Sequence, residues 1–289
     1  MKSIKIAGLC LVAVFSMSMA VSGSALALPE KPFFVQCQKV LEAKTGNADD
    51  SQCSTAARNE KEWIKVVGGE TVCRETLTKE AGNYEDSACT KKVAKKSFIK
   101  IAEPIETFSS VSGPGILEPA SALAGKITCE SDTDEGRITG PKEVGHVFVH
   151  FHKCKSSSTG KECETTGAGA GQINTNEVKG ALGYVKKGAP VEVGLRLEPT
   201  VTGGLFAKFS CSGITVEVRG AIIGQAEPLN KMSKSGKVIY KQTGSSQAIK
   251  KFEGGAEEIL ESNFGLGFEK SGLETEDTIE FQDDTEIVA

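Results

Sequence analysis

Val191-Glu192-Val193-Gly194-Leu195-Arg196-Leu197-Glu198 sets an apolar residue at every second position, with charged residues or glycine between. A strand turns successive side chains to opposite faces, so this stretch writes one apolar face and one charged face. The same period of two returns in Leu205, Ala207, Phe209 and Cys211. It returns again in Ile214, Val216 and Val218, set against Thr215, Glu217 and Arg219. Val147, Val149 and Phe151 share a further face, and shorter candidates are Lys126–Ser131, Arg137–Gly140, Val178–Val185, Lys237–Lys241, Ala248–Phe252 and Thr278–Phe281. Ser156–Gly160, Gly167–Gly171 and Gly203-Gly204 punctuate them as turns. One short helix is predicted over Gly254–Ser262. Roughly ten short strands at this spacing predict a mainly β chain, with an antiparallel β-sandwich or barrel-like domain over residues 104–289.

Ahead of that domain the chain changes character. Residues 1–27 read as a secretory signal peptide: Lys2 and Lys5, an apolar run from Ile6 to Ala20, then Ala25-Leu26-Ala27 for a peptidase. The run is short for a membrane span and is interrupted by Ser16 and Ser18. Cys10 lies inside it, and the other eight of the nine cysteines divide into four before residue 100 and four after. An even set suits disulfide bonding in an oxidising compartment. Cys37 to Cys53 and Cys73 to Cys89 enclose loops of equal length, and Leu41, Gly46, Asn47, Asp50 and Ser51 recur 36 residues on as Leu77, Gly82, Asn83, Asp86 and Ser87. Residues 28–103 therefore read as two tandem repeats of about 36 residues, each clamped by its own bridge because neither buries enough apolar surface alone. Among the later four cysteines three connectivities are open. The pleat favours Cys129–Cys211 in the core, with Cys154–Cys163 stapling a local loop.

The composition narrows the partners. The chain has 289 residues, 25% charged and 39% hydrophobic, with a net charge of −4. Its mean hydropathy of −0.17 excludes a polytopic helical membrane protein. Loss of Lys2 and Lys5 with the leader makes the mature chain more acidic still, against nucleic acid and anionic membranes as partners.

Few residues point to chemistry. His146, His150 and His152 fall in one strand, and His150 with His152 form the His-x-His pair that can place two imidazoles on one metal. The competing reading is a polar outer face. Asp132-Thr133-Asp134-Glu135-Gly136 reads as an acidic turn with weak calcium character, and so do Asp49, Asp50, Glu85 and Asp86 in the repeats. Ser97-Phe98-Ile99-Lys100 and Lys44-Thr45-Gly46 fit pieces of a serine acyl-transfer signature, in the wrong order and without the rest. Gly167–Gly171 lacks the flanks of a phosphate loop. No cofactor is implied.

The stretches Lys126–Asp134 and Gly136–Lys142, with Leu182-Gly183-Tyr184, Val218-Arg219-Gly220 and Ser271-Gly272-Leu273, resemble a group of uncharacterised secreted β-rich proteins predicted from soil actinobacterial genomes. The resemblance implies export and carries no activity. The expected function is an exported, noncatalytic structural or binding protein of the envelope or extracellular space, with an extracellular protein or glycan as partner. The alternative is a secreted hydrolase using paired carboxylates on polysaccharide, although one tryptophan and three tyrosines make few sugar platforms. A third option is an inhibitor or toxin-like module built on the clamped loops. Export predicts that N-terminal sequencing of secreted protein starts at Leu28; an intact Met1 on exported material contradicts it.

Overall fold

The structure, a computed structural model, describes residues 30–39, 63–68, 70–75, 88, 90–91, 98–101, 106–121 and 125–289. The tandem repeats and the leader lie largely outside the described residues. What is described before residue 106 is β1 (Phe33–Lys39), a hairpin of β2 (Trp63–Gly68) and β3 (Glu70–Glu75), and β4 (Phe98–Ile101).

The rest is a closed antiparallel β-barrel of eight staves, each built from one to three consecutive strands. The first stave is β5 (Glu106–Ser112) and β6 (Gly115–Pro119); the second is β7 (Ile127–Cys129) and β8 (Ser131–Ile138). The third is β9 (Glu143–His152) and β10 (Lys155–Ser156). The fourth collects β11 (Cys163–Glu164), β12 (Ile173–Asn174) and β13 (Val178–Lys186). The fifth is β14 (Glu192–Pro199) and β15 (Leu205–Cys211), and the sixth is β16 (Ile214–Gly220) and β17 (Ile222–Glu227). The seventh holds β18 (Ser233–Tyr240) and β19 (Leu260–Asn263), and the eighth is the single long β20 (Phe268–Val288).

Staves that follow one another in sequence lie side by side, an up-and-down order. The upper ring runs β5, β8, β9, β13, β14, β17, β18, β20 and returns to β5. The lower ring runs β6, β7, β10, β11, β15, β16, β19, β20 and returns to β6, with the β10–β11 step made by the Lys155↔Glu162 bridge. Closure leaves the wall without a free edge. β1 adds outside the ring, pairing Phe33 with Val288 and Gln36 with Thr285, and Phe34 joins the barrel core.

The alternation in sequence is the alternation of the wall. Val193, Leu195 and Leu197 are buried, as are Ala207, Phe209, Val216 and Val218. Thr133, Glu135, Arg137, Glu274, Glu276 and Glu280 are exposed. Hydrocarbon inside and charge outside is the inverse of a transmembrane barrel. Among the described residues no helix is long and apolar enough to cross a membrane. Two-residue turns set some registers: Ser212 (φ 56°) and Gly213 (φ 85°) both occupy the left-handed region a tight hairpin demands, pairing Cys211 with Ile214. At the junction of β16 and β17, Gly220 has φ 105°, and a Cβ there would sit 1.9 Å from the Ile259 carbonyl oxygen.

Several expectations are corrected. The disulfides are Cys129–Cys154 and Cys163–Cys211, not Cys129–Cys211 and Cys154–Cys163. The cause is local: Lys153 adopts φ 53°, which breaks the pleat after His152 and swings Cys154 into the core, where it is fully buried. Ladders then fix the partners. Lys155 pairs with Thr128, which brings Cys154 opposite Cys129, and Cys163 pairs directly with Cys211. The Cα separations are 4.0 and 4.3 Å. Cys37 is also disulfide-bonded; the expected pairs Cys37–Cys53 and Cys73–Cys89 fall outside the described residues. Asp132–Gly136 is not a turn but part of β8. Gly254–Ser262 is not a helix: Leu260 and Ser262 are buried as strand residues between β16 and β20, while Arg196 holds Glu258 at 2.6 Å. Ala248–Phe252 forms no strand and belongs to the same long connection. Ile214, expected inside, is 50% exposed at its hairpin tip.

Non-reducing peptide mapping is expected to recover Cys129–Cys154 and Cys163–Cys211. Each double Cys→Ala variant should lose about 2–5 kcal/mol. The bridges span 25 and 48 residues, so loop entropy makes loss of Cys163–Cys211 the more costly by about 0.6 kcal/mol. Melts of the two double variants in the opposite order would count against a loop-entropy origin.

Candidate functional site

The barrel lumen holds a cavity of about 90 Å³ to which all eight staves contribute. Its walls are hydrocarbon, with Ile127, Val149, Phe151, Phe209, Val218 and Leu260 among them. Three aspartates interrupt the apolar lining: Asp132 and Asp134 from β8 and Asp277 from β20. Period two turns Asp132 and Asp134 inward together with Ile138, and the same period turns Thr275 and Asp277 inward with Ile279 and Phe281. The strand between them is β5. Its Ser110 faces Asp134 in register, and its Ser112 faces Asp277.

One carboxylate oxygen from each aspartate lies within 4.8 Å of the others. The hydrogen bonds around them are few. Ser110 Oγ donates to Asp134 Oδ2. Thr275 Oγ1 lies 3.2 Å from Asp132 Oδ2 and 3.3 Å from Asp277 Oδ1. Oδ1 of Asp132 and Oδ1 of Asp134 are buried with no hydrogen-bond partner, and Asp132 is only 1% exposed. None of the three joins an ion pair among the described residues.

Three acids this close in a dry wall cannot all hold their charge cheaply. Burial, then the neighbouring Asp132 carboxylate, pushes Asp134 up to about 7. Burial also raises Asp132, and burial with the two β8 carboxylates raises Asp277 well above the usual range. Tyr240, buried beside them on β18, is raised for the same reasons. Hydrogen bonding by Ser112 and Thr275, and then His152, act on Asp132 in the opposite sense. The cluster therefore carries protons at pH values where surface carboxylates carry none. Its donors are all oxygens, the set that suits hard cations and ammonium groups.

The other expected site residues lie elsewhere. His150 and His152 sit on the outward side of β9, with His150 Nδ1 at 2.9 Å from Asn174 Oδ1 and His152 Nε2 at 3.1 Å from Thr133 Oγ1. His146 takes φ 52° in a bulge and meets Glu177 at 2.9 Å. The structure thus places the three imidazoles in three separate polar contacts. Gly167–Gly171 is a loop between β11 and β12. Lys44–Gly46, Ser97 and the acidic residues of the repeats lie outside the described residues. Asp277 escaped the sequence reading, although Thr275 and Asp277 are in phase with the apolar Ile279 and Phe281 two and four positions on.

A second concavity, of about 730 Å³, lies on the outer wall over β9, β8, β5 and β20. Phe148, Glu135, Ser109 and Glu280 cross it in register.

The chain matches no family model, no curated protein and no solved structure. The reading of its function rests on the lumen and the wall.

Acids with raised pKa values fix the sign of a pH effect. Asp134 in the folded chain, and likewise Glu106, pushed up to about 7 mainly by burial, hold protons that the unfolded chain has released. Stability is therefore highest below about pH 4 as far as these groups are concerned, falls as pH rises toward 7, and levels off above. Asp134→Asn should raise Tm at pH 8 by roughly 3 °C or more and flatten the decline between pH 5 and 8. A variant melting lower at pH 8 with an unchanged slope would show that the Asp134 charge is compensated.

Proposed function

We propose that the protein is an exported, noncatalytic binding protein that holds one small ligand in the barrel lumen. The carrying observation is the cavity itself: a hydrocarbon-lined space with a single polar patch, enclosed by every stave. Small-molecule sites combine an apolar lining with a few placed polar groups in this way. An eight-stranded barrel has an interior of the size that side chains fill or that admits one small ligand. Export is supported by the signal-like residues 1–27 and by the disulfides at Cys129–Cys154 and Cys163–Cys211. A lumen of about 90 Å³ is too small for a polymer, which favours binding over polysaccharide cleavage at the aspartates.

The hydrolase alternative keeps one specific support. Glu135 and Glu280 stand in register on either side of Ser109 on the outer groove. Two strand spacings set them about 10 Å apart at the backbone, near the upper end of inverting carboxylate geometry. Release of reducing sugar from cell-wall polysaccharide, abolished by Glu135→Gln and by Glu280→Gln, would establish it.

The binding reading is tested on the intact, disulfide-bonded protein by methyl NMR with small neutral alcohols. A four-carbon alcohol should shift the Val149 and Val218 methyl signals saturably. Val149→Phe, which fills the cavity, should abolish the shift without lowering Tm. Shifts confined to surface methyls, or no saturation, would remove the lumen as a site.

A further inference from the structure

We infer that the lumen is a site for a small monoamine, with the ammonium group on Asp132, Asp134 and Asp277 and the hydrocarbon body in the apolar cavity; this rests on the lumen being a ligand site. Two observations meet here. The first is the cluster of three inward acids, with Oδ1 of Asp132 and of Asp134 buried and lacking hydrogen-bond partners at the cavity wall. The second is that the remaining wall is hydrocarbon, with Val149, Phe209, Val218 and Leu260 facing the same space. An ammonium has three donors and no acceptor, and so matches a set of unfilled carboxylate oxygens. An alkyl chain matches the rest.

A divalent cation uses only half of the site. Calcium takes six to eight oxygens, partly from water, and hydrocarbon walls hold water poorly. An alkyl alcohol uses the other half and leaves the acids without a counter-charge. A neutral, protonated cluster with no ligand leaves the cavity unexplained. The amine accounts for both.

Size sets the probe. A cavity of about 90 Å³ equals about three water shares, which limits the ligand to roughly four or five non-hydrogen atoms. n-Butylamine fits, and 1-butanol and butyrate are its neutral and anionic matches.

Charge sets the pH dependence. Asp132 and Asp134 on β8 and Asp277 on β20 face the site, with Tyr240 from β18, Thr275 from β20, Ser110 and Ser112 from β5, and His152 acting on Asp132 from β9. The amine remains cationic over the range in which the acids titrate. Binding therefore strengthens as pH rises from 5 to 8 and the acids give up protons.

The experiment titrates n-butylamine, 1-butanol, butyrate and calcium chloride separately into the oxidised full-length protein at pH 8 and pH 5, read by methyl NMR of lumen residues and by calorimetry. The expected result is that n-butylamine binds about tenfold or more tightly than 1-butanol at pH 8, in line with a charge-assisted hydrogen bond. That margin should shrink at pH 5, and Asp132→Asn and Asp277→Asn should erase it while 1-butanol binding persists. Persisting alcohol binding also proves that the variants are folded. Equal binding of amine and alcohol to the natural protein overturns the amine inference and leaves the lumen site standing. Saturable lumen shifts with calcium and none with amine overturn it in favour of a metal. No lumen shift with any probe overturns both readings.

Discussion

The ladder between β5 and β20 makes the sheet a barrel. Phe108 pairs with Phe281 and Ser112 with Asp277, so the first stave meets the last across nearly the whole domain. Apart from this ladder and its continuation between β6 and β20, the neighbour relations in the two rings are local in sequence and would form only a curled sheet. Closure removes two exposed edges and sets all inward side chains against one another. It also brings Asp277 within reach of Asp132 and Asp134, which belong to the far side of the chain order. The lumen cluster exists only because the ring closes.

The wall was readable because it is repetitive. Val193, Leu195 and Leu197, or Phe209 and Val216, follow a period of two that depends only on backbone geometry and one dry side. What broke the reading were single residues that leave the β region. Lys153 at φ 53° inverts the face of Cys154, and His146 at φ 52° adds a bulge that puts Val144 and Val147 on the same face three residues apart. No alternation rule reports such a residue in advance. Asp132 and Asp134 misled in a different way: two acids beside a glycine carry turn chemistry locally, and only the tertiary ladder on both sides of β8 overrides it. Asp277 was legible by phase alone, but its meaning depends on neighbours more than a hundred residues away.

Buried acids without counter-charges lower the stability of a barrel that hydrocarbon would fill better. The hydroxyls of Ser110 and Thr275 receive them. A second buried acid, Glu106, accepts from the Asp283 backbone amide and from Thr285 Oγ1 at 3.2 Å, where β1 docks through Gln36. The two groups differ in kind. Glu106 has its oxygens occupied by the chain, whereas in the aspartate cluster Oδ1 of Asp132 and of Asp134 are buried without a hydrogen-bond partner.

The backbone amide of Cys163 donates to the carbonyl of Cys154 at 2.9 Å, yet neither sulfur bonds to the other. Short loops close at lower entropic cost than long ones. The eight-residue hairpin between these two cysteines is thus the ring of lowest closure entropy among the four cysteines of the barrel, and it is a non-native one. Such an isomer would leave Cys129 and Cys211 as thiols, each attached to a strand that has lost its cross-link. Leaving it requires attack by a thiolate on the Cys154–Cys163 disulfide. The strand ladders, and not the nearness of the cysteines in sequence, thus select the pairing.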